Sequence, residues 1–225
     1  MRILVLGKGK TGSVVAHIAS ERGHGVCVLG TAENEHASAL TAPNLAGMDV
    51  VIDFTAPDAA IENTRAVLAL GGRIVVGITG WYARLDEMKA LAVKRGGALL
   101  YGTNFSIGVK KLFRLTAELA NLDGYTFSIV ETHHESKRDA HSGTAITLRQ
   151  IIEAAQSGAD VEITSHRLGD AKGEHVIIAV GPDDSLQLKH DVRSRHCLAF
   201  GAVRAAEWLA GKSGAWEFRE IFDQL

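Results

Sequence analysis

The sequence has few cysteines, no excess of charge of one sign and no long apolar run. Its two cysteines, Cys27 and Cys197, both lie in apolar stretches, so a disulfide framework is implausible and buried thiols are expected. The 24 basic and 26 acidic residues give a net charge of -2, so the chain as a whole offers no reason to expect a nucleic-acid partner, although a local basic groove stays open. No segment approaches the roughly 20 apolar residues of a membrane span, and the apolar start RILVLG is far shorter than the core of a signal peptide. We therefore expect a cytoplasmic globular protein that has neither nucleic acid nor membrane as a partner.

The first hundred residues alternate between short apolar runs and stretches with apolar residues at helical spacing. Strands are predicted at residues 2–7, 26–29, 49–54, 73–76 and 98–101. Helices are predicted from Gly12 as far as Gly23, over about 58–70 and over 85–95. Near-continuous apolar strands that alternate with helices are typical of a parallel sheet covered on both faces, so the pattern predicts a Rossmann-type α/β domain.

The regular alternation of predicted strands and helices ends after Asn104, where the pattern favours a second, smaller α+β domain. Two strand-like runs are joined there by the turn sequence GPDD, which indicates antiparallel pairing. The predicted helices cover 109–121 and 199–211, and a further helix is predicted to begin near 142–144. The predicted strands cover 126–131, 175–180 and 185–190. We expect the last helix and the tail to return to the first domain. The first domain is then 1–105 plus about 200–225, and the second domain is 106–199.

A glycine-rich turn, Gly7-Lys8-Gly9-Lys10-Thr11-Gly12, joins the first predicted strand to the first predicted helix. In a G-x-G-x-x-G turn the first glycine permits the tight bend, the second lets a pyrophosphate approach the backbone, and the third lets helix and strand pack closely. The helix start adds N–H donors and a partial positive charge. The turn therefore predicts a dinucleotide site. Two other interpretations stay open: a tight turn without a ligand, and the similar loop that methyltransferases use for another cofactor.

The choice between NADH and NADPH is left open at the end of the second predicted strand. An NAD-preferring fold usually has an acidic residue there to hold the ribose hydroxyls, but this position is Gly30 or Thr31. The nearest carboxylates, Glu33 and Glu35, lie further along the chain, and no arginine follows that would bind a 2′-phosphate. Lys8 and Lys10 could assist a phosphate.

The densest cluster of reactive side chains is the run ETHHESKRDAHSGTA at residues 131–145. Two histidines, a lysine and an aspartate lie within seven residues, and this combination suits proton transfer near neutral pH. The run enters a helix through Ser-Gly-Thr, a capped start whose amides would bind a substrate carboxylate. A zinc-protease motif would need H-E-x-x-H, but Arg138 stands where the second histidine should be. Metal binding through His133, His134 and His141, or a merely exposed polar loop, stays open at this point.

At these residues the chain resembles the dihydrodipicolinate reductase family. The family signature E-x-H-H-x-x-K-x-D-x-P-S-G-T-A is reproduced at residues 131–145, except that His141 replaces the proline. The blocks GKGKTG, VVIDFTAPDAA, VVGITG, GTNFSIGV and LKHDVRSRHCLAFGAVRAAEWLAGK follow the family's order, so the resemblance covers essentially the whole chain. Ile78 is a further departure, because the family has G-T-T where this chain has G-I-T.

The resemblance implies a role for each matching residue. His133 is the expected acid/base histidine and Lys137 the assisting proton donor, whereas no metal ligand is expected. The expected substrate-binding residues are His134, Ser142, Gly143 and Thr144. The expected cofactor-binding residues are Gly7, Lys8, Gly9, Lys10, Thr11, Gly12, Thr31, Gly77, Ile78, Thr79, Gly102, Thr103, Asn104 and Phe105.

The resemblance also implies a reaction and an assembly. The expected cofactor is NADH or NADPH, and the expected substrate is a small cyclic imine dicarboxylate that receives hydride at ring C4 and loses its 4-hydroxyl as water. The expected assembly is a homotetramer formed through the second domain, with the cleft between the domains closing over the ligands. Two alternatives remain: an aspartate dehydrogenase-like enzyme, which has no reason to keep the histidine run, and a non-catalytic dinucleotide sensor.

Overall fold

The computed structural model describes residues 1–135, 137 and 140–225, and within it the chain forms two compact units. The first unit comprises Met1–Ser106 and Arg195–Leu225, and the second comprises Ile107–Ser194. The last helix and the tail thus belong to the first unit. Which ligands each unit binds, and whether the second unit assembles subunits, stays a prediction.

The first unit is built on a six-stranded parallel sheet. Its strands are β1 (Arg2–Leu6), β2 (Gly25–Leu29), β3 (Val50–Asp53), β4 (Arg73–Val76), β5 (Ala98–Tyr101) and β10 (Gly214–Glu217), in the spatial order β10-β5-β4-β3-β1-β2. Every residue of β3 and β5 is buried, as expected for strands with both faces covered. The predicted α/β class of this unit is therefore confirmed.

Helices cover both faces of this sheet. They are α1 (Lys10–Glu21), α2 (Ala42–Leu45), α3 (Pro57–Ala69), α4 (Leu85–Arg95) and α7 (His196–Leu209). One apolar core includes Val15 and Ile18 of α1 with Leu209 of α7, and a separate core includes Val67 of α3 and Met88 of α4. Two cores on one sheet explain why the strands are apolar on both faces.

The described residues of the second unit form a four-stranded mixed sheet with two helices. The strands are β6 (Thr126–His133), β7 (Glu162–Arg167), β8 (Glu174–Val180) and β9 (Ser185–Asp191), and the helices are α5 (Ile107–Leu119) and α6 (Gly143–Ala155). The spatial order is β7-β6-β8-β9. The strands β6, β8 and β9 pair antiparallel, as the turn sequence predicted, whereas β7 pairs parallel to β6.

Two strands were not predicted from the sequence, and one prediction about the thiols is wrong. The strand β7 (EITSHR) is mostly polar, and β10 (GAWE) has four residues, so neither carries a clear apolar pattern. Cys27 is exposed and Cys197 is half-buried, although both were expected to be buried. The reason for Cys27 is its place on β2, which is the last strand at one edge of the sheet.

None of the described helices is both long and apolar enough to cross a lipid bilayer.

Candidate functional site

The turn between β1 and α1 has the geometry that a dinucleotide-binding turn requires. Gly7 has φ +107°, a conformation that favours glycine, and its N–H donates to the carbonyl of Leu29 at 2.8 Å. A β-carbon on Gly12 would lie 1.9 Å from the carbonyl oxygen of Gly7, whereas a β-carbon on Gly9 would meet nothing within 4 Å. The helix begins at Lys10, earlier than predicted, so that Gly12 lies in its first turn. No side chain among the described residues caps α1, and Gly9 is its N-cap.

Two cavities that are lined by described residues adjoin this turn. The first, of about 510 Å³, runs from the turn along the carboxyl ends of β1 and β2 toward the start of α3, and the second, of about 520 Å³, faces the end of β4. The predicted cofactor residues on the first are Gly7, Lys8, Gly9 and Thr31, and those on the second are Gly9, Lys10, Thr11, Gly77, Ile78 and Thr79. Phe54 lines both cavities, and Arg195 lines the second. A β-carbon on Gly77 would lie 2.2 Å from the ring of Phe54, so this position has no room for a side chain.

The four predicted cofactor residues after β5, at positions 102–105, lie in a different environment. Phe105 is 2% exposed and packs against Phe218, with 4.6 Å between the ring centroids. Asn104 accepts a hydrogen bond from the N–H of Ser106 at 2.8 Å. Gly102 is buried and Thr103 is exposed. None of these four predicted cofactor residues lines either cavity described above.

A carboxylate does reach the end of β2, which the sequence did not suggest. The N–H of Gly30 donates to Oε2 of Glu33 at 2.9 Å, and the ammonium of Lys8 forms an ion pair with Oε1 of Glu33. The hydrogen bond from Lys8 is the main reason that the pKa of Glu33 is lowered. Lys8 is therefore paired with this carboxylate at the rim of the first cavity.

In the second unit, the strand β6 changes from apolar to ionisable along one face. Phe127, Ile129, Glu131 and His133 are all buried, and alternate residues of a strand point to the same face. The first two belong to the apolar core with α6, whereas the last two continue the same face as a carboxylate and an imidazole. A buried carboxylate is stable only when it is hydrogen-bonded or paired.

Glu131 satisfies that requirement through the start of α6 and the neighbouring strand. The N–H of Ser142 donates to both carboxylate oxygens of Glu131, at 3.1 and 3.2 Å, and the hydroxyl of Ser165 donates to Oε1 at 2.7 Å. Ser142 is the N-cap of α6, and its hydroxyl accepts from the N–H of Ala145 at 3.2 Å. The capped helix start predicted from Ser-Gly-Thr is therefore present, with the Ser142 side chain turned into the protein.

Two histidines lie on the other side of this carboxylate. Oε2 of Glu131 is 3.5 Å from Nδ1 of His133 and 3.7 Å from Nε2 of His175. Burial raises the pKa of Glu131, but the hydrogen bonds from Ser142 and Ser165 outweigh it, so that the pKa is lowered overall. Burial, followed by the charge of His133, lowers the pKa of His175 to about 4, which keeps that ring neutral at neutral pH.

Glu131, His133 and His175 also offer three donor atoms within 4.8 Å of one another, a spacing that a metal ion could use. Their surroundings favour an ion-pair network instead. Oxygen atoms of Glu131 already accept three hydrogen bonds, and the guanidinium of Arg167 lies 3.6 Å from Oε1. A cation at that distance opposes a divalent ion, so we assign no metal to this cluster.

The other residues predicted for substrate and proton transfer follow β6 or open α6. His134 and Lys137 are half-buried, and the N–H of Lys137 donates to the carbonyl of His134 at 3.1 Å. Gly143 is exposed, and a β-carbon there would meet nothing within 4 Å, so the start of α6 is open to a ligand. Thr144 follows in the same turn and is half-buried. Ser136, Arg138 and Asp139, including the aspartate of the predicted proton-transfer run, lie outside the described residues.

His141, which stands where the family signature has proline, is hydrogen-bonded within this network. Its Nδ1 lies 2.7 Å from the hydroxyl of Ser165, which in turn donates to Glu131. Sequence reasoning did not single out Glu131, Ser165, His175 or Arg195. The E-x-H spacing in a strand does indicate that Glu131 shares a face with His133, whereas Ser165 and His175 become neighbours only through strand pairing.

Comparisons with known proteins agree with these two units. Residues 1–105 match the family model of the N-terminus of dihydrodipicolinate reductase, and residues 108–222 match that of its C-terminus. The 4-hydroxy-tetrahydrodipicolinate reductase of Natronomonas pharaonis is 36% identical, over 96% of this chain and 97% of the relative.

Solved structures share the fold. A dipicolinate-bound dihydrodipicolinate reductase from Paenisporosarcina sp. TG-14 is similar with a TM-score of 0.79 and 22% identity, over 100% of this chain and 99% of that one. The aspartate dehydrogenase of Thermotoga maritima is similar with a TM-score of 0.53 and 12% identity, over 93% and 96% of the two chains. At these identities the structures show a common fold alone. The family models and the curated relative together show that the chain belongs to the dihydrodipicolinate reductase family.

Proposed function

We propose that this protein reduces 4-hydroxy-tetrahydrodipicolinate to tetrahydrodipicolinate in the biosynthesis of diaminopimelate and lysine. The balanced reaction takes the substrate, one NADH or NADPH and one proton, and yields the product, the oxidised cofactor and water. The main support for the proposal is the buried pair of Glu131 and His133, which lies beside the open N-terminus of α6. That arrangement joins a proton-transfer group to a binding site for an anion, as a dicarboxylate substrate requires.

The glycine turn fits a dinucleotide, since the space beside Gly9 is empty and no described side chain caps α1. We infer that the pyrophosphate lies against the amides of residues 9–12 and that the adenosine half enters the cavity beside Thr31. Gly77, Ile78 and Thr79 would hold the other half of the cofactor in the second cavity, and Arg195 would add a cation there. The bound cofactor would supply a hydride, and the residues of the two cavities would bind and orient the cofactor.

His133 and Lys137 would control the proton that the reaction consumes. An imidazole exchanges protons near neutral pH, and an ammonium close to the reacting ring would stabilise negative charge that develops during reduction. His134, Gly143 and Thr144 would hold the substrate carboxylates, in part through the amides that begin α6. Ser142 would act indirectly, because its hydroxyl and amide already have protein partners.

We further propose that the protein is a cytoplasmic homotetramer assembled through its second unit. The strand β9 is an edge strand of the smaller sheet, and Leu186 on it and Val180 on β8 are 43% and 48% exposed. Exposed apolar side chains at a sheet edge favour association with another copy. Light scattering after size exclusion should give four times the chain mass of 24.0 kDa. A monomer mass at working concentrations would contradict the assembly without bearing on the reaction.

The reaction is tested by following the loss of NADH or NADPH absorbance with freshly made product of dihydrodipicolinate synthase as substrate. The wild type should oxidise at least one cofactor in a substrate-dependent way. His133→Gln should lose most of kcat with KM little changed, because the proton is needed mainly in the transition state. Thr144→Val should mainly raise KM, by the equivalent of about 1–3 kcal/mol for a lost carboxylate contact.

Two other outcomes would overturn the proposal. Cofactor oxidation with an amino-acid or imino-acid substrate, and none with the cyclic dicarboxylate, would favour an aspartate dehydrogenase-like enzyme. Tight cofactor binding without oxidation of either cofactor would favour a sensor.

A further inference from the structure

His133 shares its buried strand face with Glu131, and the two side chains are close enough to act on each other. Nδ1 of His133 lies 3.5 Å from Oε2 of Glu131. The Glu131 side chain is fully buried and that of His133 is 11% exposed, so water screens this pair little. A carboxylate at that distance attracts the protonated imidazole and favours it over the neutral form.

Three structural elements hold the carboxylate in a fixed orientation. In the sheet, Ser165 on β7 and His175 on β8 stand directly opposite Glu131. Ser165 donates to Oε1, and the N–H of Ser142 at the start of α6 spans both oxygens. Because Oε1 is turned toward β7, Oε2 is left facing His133 and His175.

The surrounding charges keep Glu131 ionised beside His133. Arg167 on β7 lies 3.6 Å from Oε1 and favours the ionised carboxylate. The ring of His175 is neutral at neutral pH, because burial and then the charge of His133 lower its pKa. Among the described residues, the other titratable groups that act on this cluster include Lys137, His190 on β9, and His141 through Ser165.

We propose that Glu131 is a positioning residue for His133, whose ring it orients through Nδ1 and whose protonated form it stabilises, so that Nε2 is the atom that exchanges the proton. The effect of Glu131 on the protonation of His133 follows from the geometry of the second unit, whereas its effect on catalysis rests on the proposed function. Glu131 itself touches no reacting atom.

The first test follows the titration of His133 by nuclear magnetic resonance of the ligand-free, full-length protein, with the signal assigned from a His133→Gln spectrum. Glu131→Gln removes the charge and keeps the size of the side chain. We expect it to move the titration midpoint of His133 to lower pH by about one unit or more. Glu131→Asp keeps the charge but withdraws it by one methylene, so its shift should be smaller and in the same direction. Should Glu131→Gln fail to fold, the aspartate variant still tests the relationship.

Glu174→Gln is the matched control. It removes one negative charge from the adjacent strand β8, where Glu174 pairs with Lys189 at 2.5 Å on the face opposite to His175. The midpoint of His133 should stay at its wild-type value in this variant. An equal shift in the control would show a general charge effect and overturn the proposal.

The second test is kinetic. Glu131→Gln should lower kcat at least about tenfold with KM within about twofold of wild type, and should displace the pH dependence of kcat in the same direction as the titration. A variant that loses thermal stability but keeps the wild-type titration of His133 would show a merely structural role and overturn the proposal. Loss of activity on chelation, restored by zinc, would also overturn it in favour of a metal site. If wild-type protein reduces no substrate while the titration shifts as expected, the proposed function fails and the positioning role stands.

Discussion

A β-carbon on Gly12 would lie 1.9 Å from the carbonyl oxygen of Gly7, well inside the contact distance of a carbon and an oxygen atom. The first turn of α1 therefore packs against the end of β1 at a distance that only glycine permits. Gly9, between them in the same turn, has an ordinary backbone conformation at φ -75°, and a side chain there would point into empty space. One motif thus contains a glycine required by packing and a glycine beside an open space.

Alanine substitutions should separate these two roles. Gly12→Ala should lower the free energy of unfolding by about 2 kcal/mol or more, because α1 must move away from β1. Gly9→Ala should leave the melting temperature unchanged and weaken NADH binding by roughly tenfold or more, because the methyl group occupies the space proposed for the pyrophosphate. Thermal unfolding and fluorescence titration with NADH measure the two effects. Wild-type cofactor affinity in Gly9→Ala would contradict the proposed position of the pyrophosphate.

The choice of cofactor should depend on Glu33. Its carboxylate is held at the end of β2 by the N–H of Gly30 and by Lys8, and both of these residues line the cavity proposed for adenosine. Glu33→Gln removes a negative charge that would repel a 2′-phosphate and releases Lys8 to attract one. We expect the ratio of kcat/KM for NADPH to that for NADH to rise several-fold.

Steady-state kinetics with both cofactors measure this ratio, and Glu21→Gln serves as the control. Glu21 is an exposed carboxylate at the other end of α1, so its removal changes the net charge equally without altering the cavity. A ratio that falls in Glu33→Gln, or that rises equally in the control, would show that Glu33 does not select the cofactor.

The sequence predicted the fold well wherever burial imposes a regular pattern. The strands β4 and β5 and the helix α4 have the predicted bounds, because short apolar runs and paired glycines mark their limits. Gly96, for instance, ends α4 with φ +65°. The polar strand β7 could not be predicted in this way, since its position depends on pairing with β6 rather than on its own composition.

The site was predicted only as far as its residues are neighbours along the chain. The run from 131 to 145 identified His133 and the capped start of α6, but the partners of Glu131 come from strands 34 and 44 positions away. Likewise, Glu33 was placed beyond the end of β2, because the turn that brings its carboxylate back to Gly30 leaves no mark in the sequence. Contacts that depend on tertiary pairing need the structure.

Protein stability should depend on pH through His175. Its pKa is lowered to about 4 by burial and by the nearby His133, from an ordinary value of 6.5. Above pH 6.5 the ring is neutral in both folded and unfolded chains. As the pH falls from 6.5 toward 4, the unfolded chain binds a proton that the folded chain does not, so the free energy of unfolding decreases. By pH 5 the loss due to this ring should be on the order of 1–2 kcal/mol.

His175→Gln should remove this part of the pH dependence. Denaturant unfolding at pH 7 and pH 5 should give a smaller difference in the free energy of unfolding for the variant than for wild type, even if the variant is less stable at both values. The range from pH 5 to pH 7 stays above the pH at which Glu131 titrates, because the pKa of that carboxylate is lowered from 4.5.

Ile177→Val, a substitution of another buried residue on the same strand, is the control for loss of packing alone. It should lower stability and keep the wild-type difference between the two pH values. If His175→Gln also keeps that difference, then the ring is not held neutral by its burial, and the charge distribution proposed around Glu131 must be revised.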